Sequence, residues 1–198
     1  MLVRYNPDGE EQLNRRQAAR LAELSAWLSE RERKLLFELL VPATAAQLAQ
    51  VAGEQDRYDR ELRPALVVRA IAELQDSGVE PDIWKIEGLD AREDCERAAA
   101  QARTDGRERV SCVVLGRGAS IDRVADWLAQ AATVPGYVGF AIGRTIWLDA
   151  LGEHFAGRLH EDAATERIAG NYRRMIDTYA AAATTTPSTR APAGQSVR

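Results

Sequence analysis

Five short apolar runs, Leu2–Tyr5, Leu35–Val41, Ile83–Gly88, Val110–Leu115 and Tyr137–Ile142, punctuate a chain otherwise dominated by helical patterning. Their length and their β-branched and aromatic content predict buried strands. Between the first two runs, Leu21, Leu24 and Leu28 recur at i, i+3 and i+7, the spacing of one helix face. Pro64 opens a second helix that runs through Leu74 and stops before Gly78, the residue type suited to the position just past a helix end. Asp90 with Glu93 three residues on predicts a capping box for a third helix, and Ser120 is placed to cap a fourth that carries Val124, Trp127 and Leu128. Two more helices are expected over about 146–156 and 161–181. Strand and helix thus alternate five times, which predicts an α/β fold with a parallel sheet beneath crossover helices.

The chain has 198 residues, too few for a complete (β/α)8 barrel, which takes about 250. An open doubly wound sheet and part of a barrel both remain compatible with five βα units, and both place their chemistry at the carboxyl ends of the strands. Residues 182–198 are rich in Thr, Ser, Pro, Ala and Gly and lack periodicity; they are expected to be a disordered tail, leaving 1–181 as the folded domain. The formal charge of −4, with Arg interspersed among Asp and Glu, argues against a nucleic-acid partner, which needs clustered positive charge. Cys95 and Cys112 cannot build a disulfide framework, and no paired Cys/His spacing suggests a metal, so a reducing cytoplasmic setting without metal or cofactor is expected. The first ten residues lack the apolar core of a signal peptide, and no window approaches the ~18 apolar residues of a membrane span.

Of 26 basic residues only Lys34 and Lys85 are lysines, so each asks for a reason. Lys34 lies among Arg31, Glu32 and Arg33 and reads as part of a solvated charge run. Lys85 sits inside a strand, where a side-chain period of two puts it with Ile83 and Glu87 on one face and Trp84 with Ile86 on the other. An ammonium held there loses hydration, which favours the neutral amine, a nucleophile toward carbonyls and the requirement of Schiff-base chemistry. A structural Lys85–Glu87 ion pair is the plainer alternative. Glu38 interrupts the apolar run Leu35–Val41; a carboxylate there must be paired, and it can serve as a general acid/base or as the partner of a lysine.

The fourth and fifth strands end in Leu115-Gly-Arg-Gly and Ile142-Gly-Arg-Thr. Glycine admits an anion to backbone N–H groups, arginine offers a forked donor, and a helix beginning after Ser120 presents its positive end. Arg117, Gly118, Gly143 and Arg144 are therefore candidate phosphate ligands, with ordinary turn glycines as the alternative. A dinucleotide fingerprint fails because Gly116-Arg-Gly lacks the third glycine and the acidic ribose ligand. Arg4 and Asn6 sit near the end of the first strand and can add polar groups to the same rim, unless Pro7-Asp-Gly simply forms a solvated loop. Tyr58 and Asp59, ahead of Arg63-Pro64, read as the start of a helix.

Taken in order, the motifs Leu2-Val-Arg-Tyr-Asn-Pro-Asp-Gly, Leu36-Phe-Glu-Leu-Leu-Val-Pro, Gly78-Val-Glu-Pro-Asp-Ile-Trp-Lys-Ile-Glu-Gly-Leu-Asp, Val114-Leu-Gly-Arg-Gly-Ala and Gly139-Phe-Ala-Ile-Gly-Arg-Thr resemble the aldolase-like domain at the C-terminus of 5-dehydro-2-deoxygluconokinases of myo-inositol catabolism. More distantly they are similar to class I tagatose-1,6-bisphosphate aldolases. The resemblance covers residues 1 to about 180 and implies strands four to eight of a TIM (β/α)8 barrel, the first three having no counterpart. It matches Lys85 to the Schiff-base lysine and Glu38 to an active-site glutamate, with Glu87 following the lysine in both groups; Lys85 is then expected to attack the substrate ketone while Glu38 and Glu87 move protons during C–C cleavage. Gly143 and Arg144 correspond to the strand-eight phosphate site, with Arg117 and Gly118 helping from strand seven. The implied substrate is a phosphorylated keto-sugar acid such as 2-deoxy-5-keto-gluconate 6-phosphate, split without a cofactor. A non-catalytic phospho-sugar-binding or regulatory half barrel is the alternative. Such a half barrel leaves strand edges unpaired and is expected to pair with another copy or with a separately encoded N-terminal barrel half.

Overall fold

A computed structural model describes residues 1–184. The elements, in chain order, are β1 (Leu2–Arg4), α1 (Glu11–Ser29), β2 (Leu36–Leu40), α2 (Ala45–Gln50), α3 (Gln55–Arg57), a π turn over Tyr58–Leu62, α4 (Arg63–Asp76), β3 (Ile83–Glu87), α5 (Arg92–Ala102), β4 (Ser111–Leu115), α6 (Ile121–Ala132), β5 (Tyr137–Phe140), α7 (Arg144–Phe155) and α8 (Glu161–Thr184). The strands form one sheet in the order β1-β2-β3-β4-β5, every neighbour parallel. Sequential parallel strands with helical crossovers are the construction of a barrel wall, and the fold is α/β of partial TIM-barrel type.

The two faces of the sheet differ. On one, Val3, Phe37, Leu39, Trp84, Ile86, Cys112 and Val114 are buried in a continuous core with residues of the helices. On the other, the register places Leu2, Glu38, Lys85, Val113 and Gly139 in a single row across all five strands. No described element packs over that face to the same degree: Leu2 is 51% and Leu36 39% exposed. In a closed barrel this face would be the interior.

Local signals explain most boundaries. Helix α4 begins with Pro64 in its first turn and ends at Ser77, with Gly78 at φ +90°, the left-handed conformation that glycine adopts without strain. Ser120 caps α6 by accepting the Arg123 backbone N–H at 3.2 Å. Two expectations need correction. Asp90 does not cap α5, which starts at Arg92 behind Ala91; its carboxylate accepts the Trp127 indole N–H at 2.6 Å and the Arg123 guanidinium at 3.0 Å, tying the loop after β3 to α6. Helix α8 runs to Thr184, so residues 182–184 of the expected tail are helical, while 185–198 lie outside the described residues.

Gly88, just past β3, is a point of close approach. A Cβ there would lie 2.0 Å from Cδ2 of Trp127, whose indole is fixed by Asp90. Gly88→Ala is expected to destabilise the fold by about 3 kcal/mol, the upper part of the overpacking range, because the ring has little room to retreat; urea unfolding measures it. Burial, reinforced by nearby acidic charge, pushes the Cys95 thiol up to about 12, and burial pushes Cys112 up to about 12 as well. Both thiols are expected to resist a disulfide exchange reagent at pH 8 in the native protein and to react together on unfolding.

Candidate functional site

The chemistry gathers at the uncovered face and at the carboxyl ends of β2, β3 and β4. Glu38 and Lys85 are register partners on β2 and β3, and because both project from the uncovered face, the Lys85 ammonium Nζ donates to Glu38 Oε2 at 2.9 Å. Their side chains are 17% and 20% exposed, enough for a small molecule or water to reach them from the open side. The alternative pairing of Lys85 with Glu87 is not formed; Lys85 meets Glu38 instead. Lys34, as expected of a surface charge, meets Asp82 at 2.7 Å and stays largely exposed.

Glu87 ends β3 in a different environment. Only 3% exposed, it accepts the Val41 backbone N–H on Oε2 at 2.9 Å and meets Arg117 Nε with Oε1 at 2.9 Å. Arg63, itself 1% exposed, places NH1 4.0 Å from Glu87 and donates NH2 to the Gly88 carbonyl at 2.8 Å. Asp59 closes the cluster: its Oδ2 accepts from Arg117 at 2.6 Å and its Oδ1 from Arg63 at 3.2 Å. Two carboxylates and two guanidinium groups thus lock the ends of β3 and β4 to the π turn. Tyr58, from the same turn, donates its hydroxyl to the Val41 carbonyl at 2.9 Å. Arg117 adopts φ +53°, a left-handed conformation that is uncommon outside glycine, and its two carboxylate partners hold it there.

Burial alone would raise the Asp59 carboxyl, but the hydrogen bond from Arg117 and the charge of Arg63 outweigh it and hold the group below its ordinary value. A carboxyl depressed in the fold contributes stability that is full above its ordinary pKa of about 3.9 and is lost as pH falls through the depressed folded value. Urea unfolding is therefore expected to show wild type exceeding Asp59→Asn most clearly at pH 7, with the gap narrowing as pH drops below 4.

The candidate phosphate ligands fall into two groups. Arg117, Gly118, Ser120, Arg144, Arg167 and Asn171 line a cavity of about 610 Å³ between the loop after β4 and the start of α7. Gly143 precedes α7 as its N-cap, and Arg144 is exposed with no ion-pair partner among the described residues. Arg117 borders this cavity but spends its guanidinium on Asp59 and Glu87. Gly116 lets the two strand ends meet, since a Cβ there would sit 2.9 Å from Ile142 Cγ2. Asn6, by contrast, is buried and fully engaged within the protein: its amide donates to the Pro42 carbonyl and to Gln47, each at 2.7 Å, and its oxygen accepts the Asp8 N–H at 2.9 Å. Arg4 projects from the uncovered face at the end of β1, exposed and without an ion-pair partner among the described residues. The sequence reads Asp59 and Arg63 only as a helix entry and misses their part in the charge cluster, although their i, i+4 spacing immediately before Pro64 is the signal of a helical ion pair.

Comparison with known proteins puts this geometry in context. Residues 1–183 match the family model described as an uncharacterized protein conserved in bacteria, DUF2090. The chain belongs to this family. No curated protein matches it. Among solved structures it is similar to fructose-bisphosphate aldolase from Plasmodium falciparum, in a ternary complex with TRAP and a small-molecule inhibitor, at a TM-score of 0.61 and 10% identity, covering 95% of this chain and 57% of the aldolase. The DUF2090 chain thus has an aldolase-like fold while spanning little more than half the length of that neighbour. No helix among its described residues is long and apolar enough to cross a membrane.

Proposed function

We propose that this chain is the lysine-bearing part of a class I aldolase that cleaves a phosphorylated keto-sugar acid. The observation that carries the reading is the 2.9 Å Lys85–Glu38 pair on the uncovered face of a barrel-type sheet. Glu38 takes a proton from the Lys85 ammonium, and the free amine adds to the substrate ketone. The carbinolamine takes that proton back from Glu38 as its hydroxyl leaves as water, which gives an iminium; Glu38 then removes the proton of the substrate hydroxyl β to the iminium carbon, the intervening C–C bond breaks with its electron pair moving toward the iminium, and an aldehyde leaves behind an enamine. Glu38 then returns a proton to the enamine carbon, and hydrolysis of the resulting iminium frees Lys85. The phosphate of the substrate sits in the cavity bordered by Arg117 and Gly118 and is met by Arg144, by Arg167 and by the N-terminus of α7 after Gly143.

Glu87, whose oxygens are already taken by Val41 and Arg117, holds the rim rather than moving protons in this reading. Following the resemblance of the motifs, the substrate is 2-deoxy-5-keto-gluconate 6-phosphate and the products are dihydroxyacetone phosphate and malonate semialdehyde, a step of myo-inositol catabolism in the cytoplasm. A panel of phosphorylated keto-sugar acids, assayed for release of triose phosphate, tests the reading: cleavage of at least one member is expected, and binding of a member without cleavage favours a phospho-sugar-binding module. The separate existence of the arginine-lined cavity is what gives that second reading its footing.

A further inference from the structure

Strands β1 to β5 contain two cations, Lys85 on β3 and Arg4 on β1, and both lie on the uncovered face. Lys85 is engaged by Glu38 at 2.9 Å. Arg4 pairs in register with Leu40, two residues beyond Glu38 on the same side of β2, so it stands nearer the carboxyl ends of the strands than Lys85 does. It is exposed and meets no carboxylate among the described residues. Two strand spacings, roughly 10 Å, separate β1 from β3, and the two-residue step along the strand adds roughly 7 Å. Two long side chains on one face cover much of that distance, which leaves room for a short carbon chain between their heads.

Across the sheet the order is Arg4 on β1, Glu38 on β2, Lys85 on β3, and the arginine-lined cavity beyond β4. Cleavage through an iminium fixes a matching order in the substrate: the ketone meets the lysine, and the hydroxyl β to it meets the base. With the phosphate in the cavity, the ketone at Lys85 and the hydroxyl at Glu38, the fragment that leaves as an aldehyde extends toward β1. We propose that Arg4 binds a carboxylate at the far end of that fragment and thereby selects keto-sugar acids over neutral keto-sugars, an inference that rests on the aldolase reading. A guanidinium fork suits the two oxygens of a carboxylate. A second phosphate is disfavoured at this end. The N–H groups of Asp8 and Gly9 are already taken by the side chain and the carbonyl of Asn6. Helix α1 opens behind Glu10 with Glu11 in its first turn, so carboxylates occupy the end of the helix that would otherwise attract an anion.

Calorimetric titration of the 198-residue chain carrying Lys85→Met, which cannot form the covalent adduct, tests this with three ligands. They are 2-deoxy-5-keto-gluconate 6-phosphate, its counterpart with a hydroxymethyl group in place of the carboxylate, and that counterpart phosphorylated at both ends. The acid is expected to bind about 10²-fold more tightly than the hydroxymethyl compound, the scale of a charge-assisted bidentate contact. Arg4→Gln in the same background is expected to bring the acid down to the affinity of the hydroxymethyl compound, with circular dichroism unchanged. Arg4→Lys keeps the charge without the fork and is expected to retain part of the preference. Equal affinity for the first two ligands, tighter binding of the bisphosphate than of the acid, a preference that survives Arg4→Gln, or no binding of any of the three would each overturn the proposal. A cleavage assay with Lys85 restored separates the two readings. Acid preference without cleavage ends the aldolase reading and leaves the carboxylate site standing, whereas cleavage of the acid and the hydroxymethyl compound with equal kcat/KM ends the Arg4 proposal alone.

Discussion

Lys85→Met is expected to lower the rate of keto-sugar acid cleavage by ~10⁴-fold or more, equivalent to about 5.5 kcal/mol of transition-state stabilisation, because methionine fills the same space but cannot add to a carbonyl. The fold is expected to survive the change. Lys85 and Glu38 are reached by solvent on the uncovered face, so breaking their pair costs about 1 kcal/mol at most and leaves Glu38 hydrated. Stability and activity thus separate in this variant. Glu38→Gln retains the nucleophile and loses the proton carrier, and a smaller decrease, on the order of 10²-fold, is the corresponding expectation. Steady-state kinetics with the substrate found in the panel, beside thermal unfolding of the same samples, checks both.

The second large effect falls on stability. Glu87→Ala is expected to destabilise the fold by about 3–5 kcal/mol, the range for removing one partner of a buried charge cluster. The loss strands two guanidinium groups: Arg63, buried to 1% exposure and left with Asp59, and Arg117, whose left-handed backbone then rests on a single carboxylate. It also leaves the Val41 N–H without its acceptor. Glu87→Gln keeps an acceptor for Val41 and is expected to lose less. For a domain of this size, a change of that magnitude lowers the melting temperature by about 10 °C, which calorimetry resolves. The contrast with Lys85→Met matters, since the two residues share one strand and one face yet are expected to fail in different ways.

Much of this arrangement was legible in the amino-acid order. The five apolar runs became the five strands, and the period of two correctly put Trp84 and Ile86 under the helices and Lys85 on the opposite face. The scarcity of lysine pointed to Lys85, and the odd carboxylate in Leu35–Val41 pointed to Glu38. Their union required the sheet register, which brings residues 47 positions apart into a 2.9 Å contact; strand spacing alone left Glu87 as an equally good partner. The fate of Glu87 was hidden because its partners come from separate elements, Arg63 from the start of α4 and Arg117 from the loop after β4, and the i, i+4 spacing of Asp59 and Arg63 does not reveal that their pair closes on β3. Asp90 misled for a related reason. Its spacing to Glu93 suits a cap, but Trp127 and Arg123, more than thirty residues away, outcompete the nearby backbone N–H groups. Asn6 looked like a rim ligand in sequence, and the structure turns it inward because Gln47 and the Pro42 carbonyl lie within reach.

The central claim, that Lys85 is the nucleophile, is tested most directly by borohydride reduction of the protein in the presence of a phosphorylated keto-sugar acid that it binds, followed by peptide mass spectrometry. One reduced adduct on Lys85, absent in Lys85→Arg, is the expected result. A folded, ligand-binding protein that yields no adduct, or an adduct carried by Lys34, would contradict it.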